Sequence, residues 1–108
     1  MKSYELQGRD VGLATYATIG DADRAVISVG MVPIHLVWMV ERLAREKLAR
    51  HYLLKIGCNP DDPTKNAEGK TILEVWAEAV EKETVQEILR GFTLGLYEAA
   101  RANGKMRV

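Results

Sequence analysis

The chain has 108 residues, of which 47% are hydrophobic and 28% are charged. This length and composition are typical of one folded domain with its own core, and they exclude a disordered, collagenous or membrane-spanning protein. Lysine plus arginine and aspartate plus glutamate number 15 each, so no overall field draws the protein to nucleic acid or to an anionic membrane. We therefore expect a single domain over residues 1–108 that binds neither nucleic acid nor membrane.

The cysteine content and the amino terminus point to a location in the cell. Cys58 is the only cysteine, which excludes an intramolecular disulfide and is typical of a reducing compartment. The first ten residues lack the apolar segment of a secretory signal. The longest apolar run, residues 31–40, is shorter than the roughly 20 residues that cross a membrane. These features predict a small soluble protein of the cytoplasm.

The first third of the chain is compatible with helix or with strand. Residues 11–19 and 24–32 are rich in β-branched side chains and flank residues 20–23, Gly-Asp-Ala-Asp, which suit a hairpin turn. Short apolar runs of this length do not distinguish a buried strand from a helix. Residues 11–32 therefore remain either a β-hairpin or helical.

The middle of the chain has clear helix signals. Pro33 suits a first helical turn and Gly57 suits a left-handed residue after the last turn, so residues 33–56 are predicted to be helical. Apolar residues at three- and four-residue spacing form a stripe that we expect to face the core. The members of this stripe are Ile34, Val37, Trp38, Ala44, Leu48 and Tyr52.

A loop and two further helices are predicted after Gly57. Residues 58–70 are polar and contain Pro60, Pro63 and Gly69, which break periodic structure. Thr71 and Glu74 have the spacing of a capping box, so a helix should begin at about Thr71. Apolar residues lapse near residue 82, and the helical period then resumes to residue 99. In this last helix Gly91 and Gly95 lie one turn apart and would let another helix approach closely.

Three segments resemble the ankyrin repeat. Residues 30–37, Gly-Met-Val-Pro-Ile-His-Leu-Val, resemble the family's opening G-x-T-P-L-H-L-A, and residues 53–60, Leu-Leu-Lys-Ile-Gly-Cys-Asn-Pro, resemble its closing L-L-x-x-G-A-D-P. Residues 69–77 resemble a second opening. The two opening glycines, at 30 and 69, are 39 residues apart, whereas the ankyrin unit has about 33 residues.

The resemblance implies a mainly α fold, in which a short stack of helix pairs has degenerate repeats at about 30–68 and 69–91 and capping segments at both ends. It also implies a non-enzymatic module that binds another protein through loop tips and inner-helix faces. The loop-tip residues predicted to bind the partner are Asp21, Asp23, Asp61, Asp62, Lys65, Asn66 and Glu68. An ankyrin unit would divide residues 33–56 into two helices, but residues 41–50 contain no glycine, so one continuous helix is the alternative.

A second interpretation comes from a different class of fold and function. If residues 11–32 form a β-hairpin, the chain is an α+β protein in which a hairpin is followed by two or three long helices. Long helices of this kind pair between two copies, which would make the protein a small homodimeric structural or regulatory protein.

No set of residues predicts an enzyme, a cofactor or a metal site. The segment Gly69-Lys70-Thr71 has the end of a phosphate-binding loop, but Thr64 stands where that motif requires glycine. His35, His51 and Cys58 do not have the spacing of a zinc site. Glu74, Glu78 and Glu81 are the first carboxylates to examine for catalysis, although this spacing is typical of a solvated acidic helix face.

Overall fold

The computed structural model describes residues 3–104, so residues 1–2 and 105–108 of the predicted domain lie outside the described residues. The described part contains five helices and no strand: α1 (Ser3–Tyr16), α2 (Asp21–Ser28), α3 (Ile34–Lys55), α4 (Ile72–Glu78) and α5 (Lys82–Ala102). The prediction of a mainly helical fold is confirmed. The alternative with an amino-terminal β-hairpin is wrong.

Residues 11–32 form the second half of α1 and all of α2. The expected hairpin turn is the start of α2, because Gly20 precedes the helix and Asp21 and Asp23 occupy its first turn. Acidic side chains in a first turn are stabilised by the free N–H groups and the positive end of the helix dipole. Gly30 then ends α2 with a φ of 84°. These local helix signals outweigh the β propensity of the branched residues, which is a weak preference.

The two ends of the chain meet in the closest helix pair of the fold, between α1 and α5. The backbone of Gly8 lies against Ile88 and Phe92, and that of Gly12 lies against Phe92 and Leu96. Residues later in α1 contact residues later in α5, so the two helices run parallel. The close approach predicted at Gly91 and Gly95 is therefore real, and the helix that makes it belongs to the same chain.

Two ion pairs lie beside this glycine-lined contact. Two nitrogens of the Arg9 guanidinium, Nε and Nη2, each donate a hydrogen bond to one oxygen of the Glu98 carboxylate at 2.6 Å. Glu5 and Arg90 form a second pair at 3.8 Å. The hydrogen bonds with Arg9 lower the pKa of Glu98, and the carboxylate in turn raises the pKa of Arg9. Each pair links α1 to α5 and helps to fix their register.

The middle of the chain forms one continuous helix, α3, where an ankyrin unit would have two. Its 22 residues include no glycine or proline, and straight-chain residues and alanine fill positions 41–50, so nothing in this segment favours a turn. The helix ends as predicted, because Gly57 has a φ of 82° and the N–H of Cys58 donates to the carbonyl of Leu53 at 2.8 Å. The ankyrin resemblance itself remains a prediction made from the residues.

The core lies along α5, where α1, α2 and α3 all contact it. Phe92, Leu96 and Ala100 of α5 are fully buried in one cluster with Leu36 and Val40 of α3. The members that complete this cluster are Tyr16, Ile27, Ala44, Ile88 and Ala99. The hydroxyl of Tyr97 donates to the carbonyl of Gly30 at 2.8 Å and so ties α5 to the α2–α3 connection.

The second half of α3 is buried on a different side, by α4. Ala49 and Leu53 are buried but do not belong to the main cluster. Thr71 caps α4 as predicted, since its hydroxyl accepts a hydrogen bond from the N–H of Glu74 at 3.3 Å. The Glu74 side chain returns to the Thr71 hydroxyl at 3.2 Å, rather than to its N–H as a capping box requires.

The resulting molecule is elongated. Its dimensions are 49 × 28 × 20 Å and its radius of gyration is 16.0 Å. A compact domain of this length has a radius of gyration of about 13 Å. Because α4 and α5 cover α3 on different sides at its two ends, a large part of this long helix has no neighbour.

Candidate protein-binding surface

The first group of predicted partner-binding residues lies beside the start of α3. Oδ2 of Asp23 is 3.2 Å from Nε2 of His35, the second residue of that helix. Asp21 is exposed and forms a long ion pair, at 3.9 Å, with Arg24. This loop tip is therefore fixed next to the amino-terminal end of α3.

The second group lies in the loop between α3 and α4, where Asp61 and Asp62 hold the loop in place. Nη1 of Arg50 donates a hydrogen bond to Oδ1 of Asp61 at 2.7 Å. Oδ1 of Asp62 accepts from the backbone N–H of Thr64 at 2.9 Å, and this hydrogen bond lowers the pKa of Asp62. Both carboxylates thus have partners within the chain.

The remaining predicted residues of this loop also make contacts within it. Oδ1 of Asn66 accepts from the N–H groups of Glu68 at 2.9 Å and Lys70 at 3.1 Å, and the Glu68 carboxylate is 3.8 Å from Nζ of Lys70. Lys65 is exposed, and with Asp62 and Asn66 it lines an open hollow of about 470 Å³. The polar side chains here determine the shape of the loop.

The two groups are too far apart to form one site. Asp23 contacts His35 and Asp61 contacts Arg50, and these two α3 residues are 15 positions apart. A helix rises 1.5 Å per residue, so the contacts are separated by about 22 Å along α3. A single small ligand cannot reach both groups, whereas a protein partner could lie along the helix between them.

Three exposed apolar side chains lie at the amino-terminal end of this line, and they belong to Trp38, Ile34 and Met31. Trp38 is 64% exposed, Ile34 is 59% exposed one turn before it, and Met31 is 63% exposed in the connection that precedes α3. Residues four apart are neighbours on a helix surface. We call Met31, Ile34 and Trp38 the Trp38 patch. The predicted stripe is wrong for Ile34 and Trp38, which are exposed, whereas Ala44 of the same stripe is buried in the main cluster and Leu48 packs against it.

The physical reason is that α3 buries two different faces along its length. Leu36 and Val40 face α5 in the first half, while Ala49 and Leu53 are buried in the second half, against which α4 packs. At 100° per residue these two sets lie on different sides of the helix. Trp38 is on the same side of the helix as Ala49, which lies 11 residues or about three turns further on, but in the first half of α3 this side is left exposed.

The charges that follow the Trp38 patch are balanced. Glu41 and Arg45 form an ion pair at 3.5 Å, and Arg42 and Glu46 form another at 3.7 Å, each spanning one helical turn. These exposed pairs contribute little to folding. They continue the patch along α3 with a neutral, polar edge, which is the composition of an interface rim.

The second tryptophan has a different environment from Trp38. The ring of Trp76 on α4 is 4.7 Å from that of Tyr52 on α3, with the two planes tilted by 39°. Trp76 helps to attach α4 to α3. Among residues 3–104 no aromatic ring stacks on Trp38. The core position predicted for Trp38 is therefore wrong.

The candidate catalytic and metal-binding residues are dispersed. The Glu78 carboxylate accepts from Nζ of Lys70 at 2.9 Å, which raises the pKa of that lysine, and Glu74 contacts the cap of its own helix. Among the described residues no three His, Cys, Asp or Glu side chains come close enough to hold a metal ion. Lys70 is thus part of the link between the loop and α4.

No helix within residues 3–104 combines the length and the apolar composition that a membrane crossing needs. The comparisons with known proteins add no relative: no family model, no curated protein and no solved structure matches the chain.

Proposed function

We propose that this protein is a binding module for another protein, and that its contact surface is the Trp38 patch at the amino-terminal end of α3. The observation that carries the proposal is the 64% exposure of Trp38, which lies in the first half of α3 on a part of its surface that neither α4 nor α5 covers. Monomeric proteins rarely leave large apolar side chains together on their surface, and such groups usually mark a binding surface. Tryptophan is also among the residues that contribute most to binding at protein interfaces.

The first loop tip belongs with this surface, and the second does not adjoin it. His35 follows Ile34 in the chain and contacts Asp23, so Asp21 and Asp23 border the patch. We propose that they form part of its polar rim. Asp61, Asp62 and the rest of their loop lie near the other end of α3, where only a partner long enough to follow the helix would meet them.

This proposal keeps the function expected from the sequence, that of a non-enzymatic cytoplasmic interaction module. The proposed binding surface, however, is on α3 and not at the loop tips. The free thiol of Cys58 fits the reducing compartment that this location implies. A second copy of the chain is the alternative partner, because a long helix with one uncovered side can pair with its own equivalent.

The test places a photoreactive amino acid at position 38 of the full chain in the cells that express the protein. We expect a discrete cross-linked product at position 38 that is absent when the same group replaces Glu68, and that is lost when Ile34→Asp is added. A product of twice the chain's mass would identify the partner as a second copy. Equal labelling from positions 38 and 68 would contradict the proposal.

A stability measurement separates a binding role from a packing role. Because Trp38 is exposed, Trp38→Ala should change the free energy of unfolding by less than about 1 kcal/mol. Removal of a tryptophan from a core costs about 3–5 kcal/mol. A loss of that size in urea denaturation would show that Trp38 serves the fold, and the proposal would then be wrong.

A further inference from the structure

A groove separate from the Trp38 patch lies between α1 and α3. Both helices pack on α5, but they make little contact with each other, which leaves an open space of about 380 Å³ between them. Tyr4 and Val11 line it from α1, Val40, Leu43 and Leu48 from α3, and Ile88 from α5. A space of this size accommodates two or three apolar side chains, and is too narrow for a whole helix.

The walls of the groove are exposed where a folded protein would normally cover them. Leu43 is 50% exposed and Val11 is 40% exposed on opposite walls, while Val40 and Ile88 are buried at its base. Apolar side chains that enter from outside would therefore contact apolar groups on three sides. Burial of this surface would supply the free energy of binding, at about 25 cal/mol for each Å² removed from water.

Lys47 is the charged side chain among the residues that line the groove. Lys47 and His51 lie on its α3 side, Gln7 lies on its α1 side, and no carboxylate is among the residues that line it. Within residues 3–104 no carboxylate lies within 4 Å of Nζ of Lys47, although other basic residues of α3, such as Arg45 and Arg50, have partners. The rim therefore offers an unneutralised ammonium group beside an apolar slot.

This charge makes a second copy of the chain a poor occupant. Two copies that met groove to groove, with the two-fold axis through the groove, would bring Lys47 near Lys47 of the other copy. Juxtaposed like charges oppose association. The ammonium group of Lys47 favours a partner that presents a carboxylate next to its apolar side chains.

We propose that this groove binds an amphipathic helix of another protein, with apolar side chains of that helix in the slot and an acidic side chain paired with Lys47. Parallel walls built from two helices suit side chains spaced three and four residues apart on a third helix, which is a common mode of peptide recognition. The site is distinct from the Trp38 patch, so it would give the protein a second contact with its partner or a contact with a second partner.

The test uses two synthetic helical peptides of about 18 residues, long enough to form helix, with the same leucine stripe and flanks of either glutamate or lysine. In ¹⁵N NMR titrations of the full chain we expect the acidic peptide to shift the amide signals of Val11, Leu43 and Lys47. It should bind about fivefold more tightly than the basic peptide, the factor that one exposed ion pair supplies. Lys47→Glu should reverse this preference.

Leu43→Asp should abolish binding, and Leu94→Asp is its matched control because Leu94 is similarly exposed on the far side of α5. Equal affinity for both peptides, or shifts outside the groove, would overturn the proposal. Shifts of the groove signals with protein concentration alone would show that a second copy occupies it, which would also overturn it. Trp38→Ala should leave peptide binding unchanged, so failure here is distinguishable from failure of the proposed function.

Discussion

Arg45 of α3 closes the carboxyl end of α4, because its Nη1 atom donates a hydrogen bond to the carbonyl oxygen of Val80 at 3.0 Å. The same nitrogen reaches the carbonyl of Ala77 at 3.3 Å. These carbonyls belong to the last turn of a short helix and the residues after it, where the helix supplies few donors, although the Ala77 carbonyl also accepts from the N–H of Val80 at 3.4 Å. The basic α3 and the acidic α4 are thus joined by an arginine and main-chain oxygens, not by opposite side-chain charges.

Replacement of Arg45 by methionine should destabilise the fold by about 1–2 kcal/mol, because carbonyls in a partly buried contact lose a charged donor. Urea denaturation measures this change. Arg42→Met is the control, since within residues 3–104 Arg42 pairs only with Glu46 at the surface, and its loss should cost less than about 0.5 kcal/mol. Equal effects of the two substitutions would mean that Arg45 does not hold α4.

Alanine at position 91 should destabilise the protein by at least about 2 kcal/mol, because a Cβ there would overlap the backbone carbonyl of Glu5. The helices α1 and α5 would have to separate, and this would loosen contacts along their whole length. Thermal unfolding followed by circular dichroism measures the loss. Gly20→Ala is the control, since nothing lies within 4 Å of a Cβ at that position, and it should cost less than about 1 kcal/mol.

Removal of the Thr71 hydroxyl should affect α4 before the rest of the fold. Thr71→Ala leaves the N–H of Glu74 without its acceptor and should cost about 1 kcal/mol, whereas Thr71→Ser should retain the cap. Hydrogen exchange of the Glu74 amide reports the change directly. If this amide exchanges at the same rate in the alanine and serine variants, the cap contributes nothing.

The Arg9–Glu98 ion pair makes part of the free energy of unfolding depend on pH. The hydrogen bond from Arg9, and then its charge, holds the pKa of Glu98 below its usual value, so the carboxylate form stabilises the folded state. This contribution is complete above the unfolded pKa of about 4.3 and is lost as the pH falls through the lower folded value. In an NMR titration Arg9→Gln should raise the pKa of Glu98. The stability difference between the native protein and Glu98→Gln should shrink at low pH, and a difference independent of pH would contradict this reasoning.

The predictable parts of the fold are those with local signals. Gly57 ends α3 through its left-handed conformation, and Thr71 begins α4 through the hydrogen bond of its hydroxyl. Both helix boundaries were predicted from the sequence. The glycines of α1, in contrast, made this helix harder to predict from the sequence. Gly8 and Gly12 weaken an isolated helix, and their purpose is visible only when Gly91 and Gly95 are placed against them.

The candidate site was less predictable than the fold, for a related reason. The position of Trp38 on α3 is known from the sequence, but its exposure depends on where α4 and α5 cover that helix. These two helices come later in the chain and cover different faces. The groove exists because α1 and α3 both pack against α5. The spacing of apolar residues within α1 or α3 does not predict this arrangement.

The parallel contact between α1 and α5 also imposes an order on folding during synthesis. Gly8 meets Ile88, which is 80 residues later in the chain. At about 5–20 residues per second the ribosome needs roughly 4–16 s to make that stretch. A 14-residue helix with two interior glycines is marginal in water on its own. The amino-terminal segment must therefore remain largely unstructured, and open to chaperones or proteases, until the last helix has emerged.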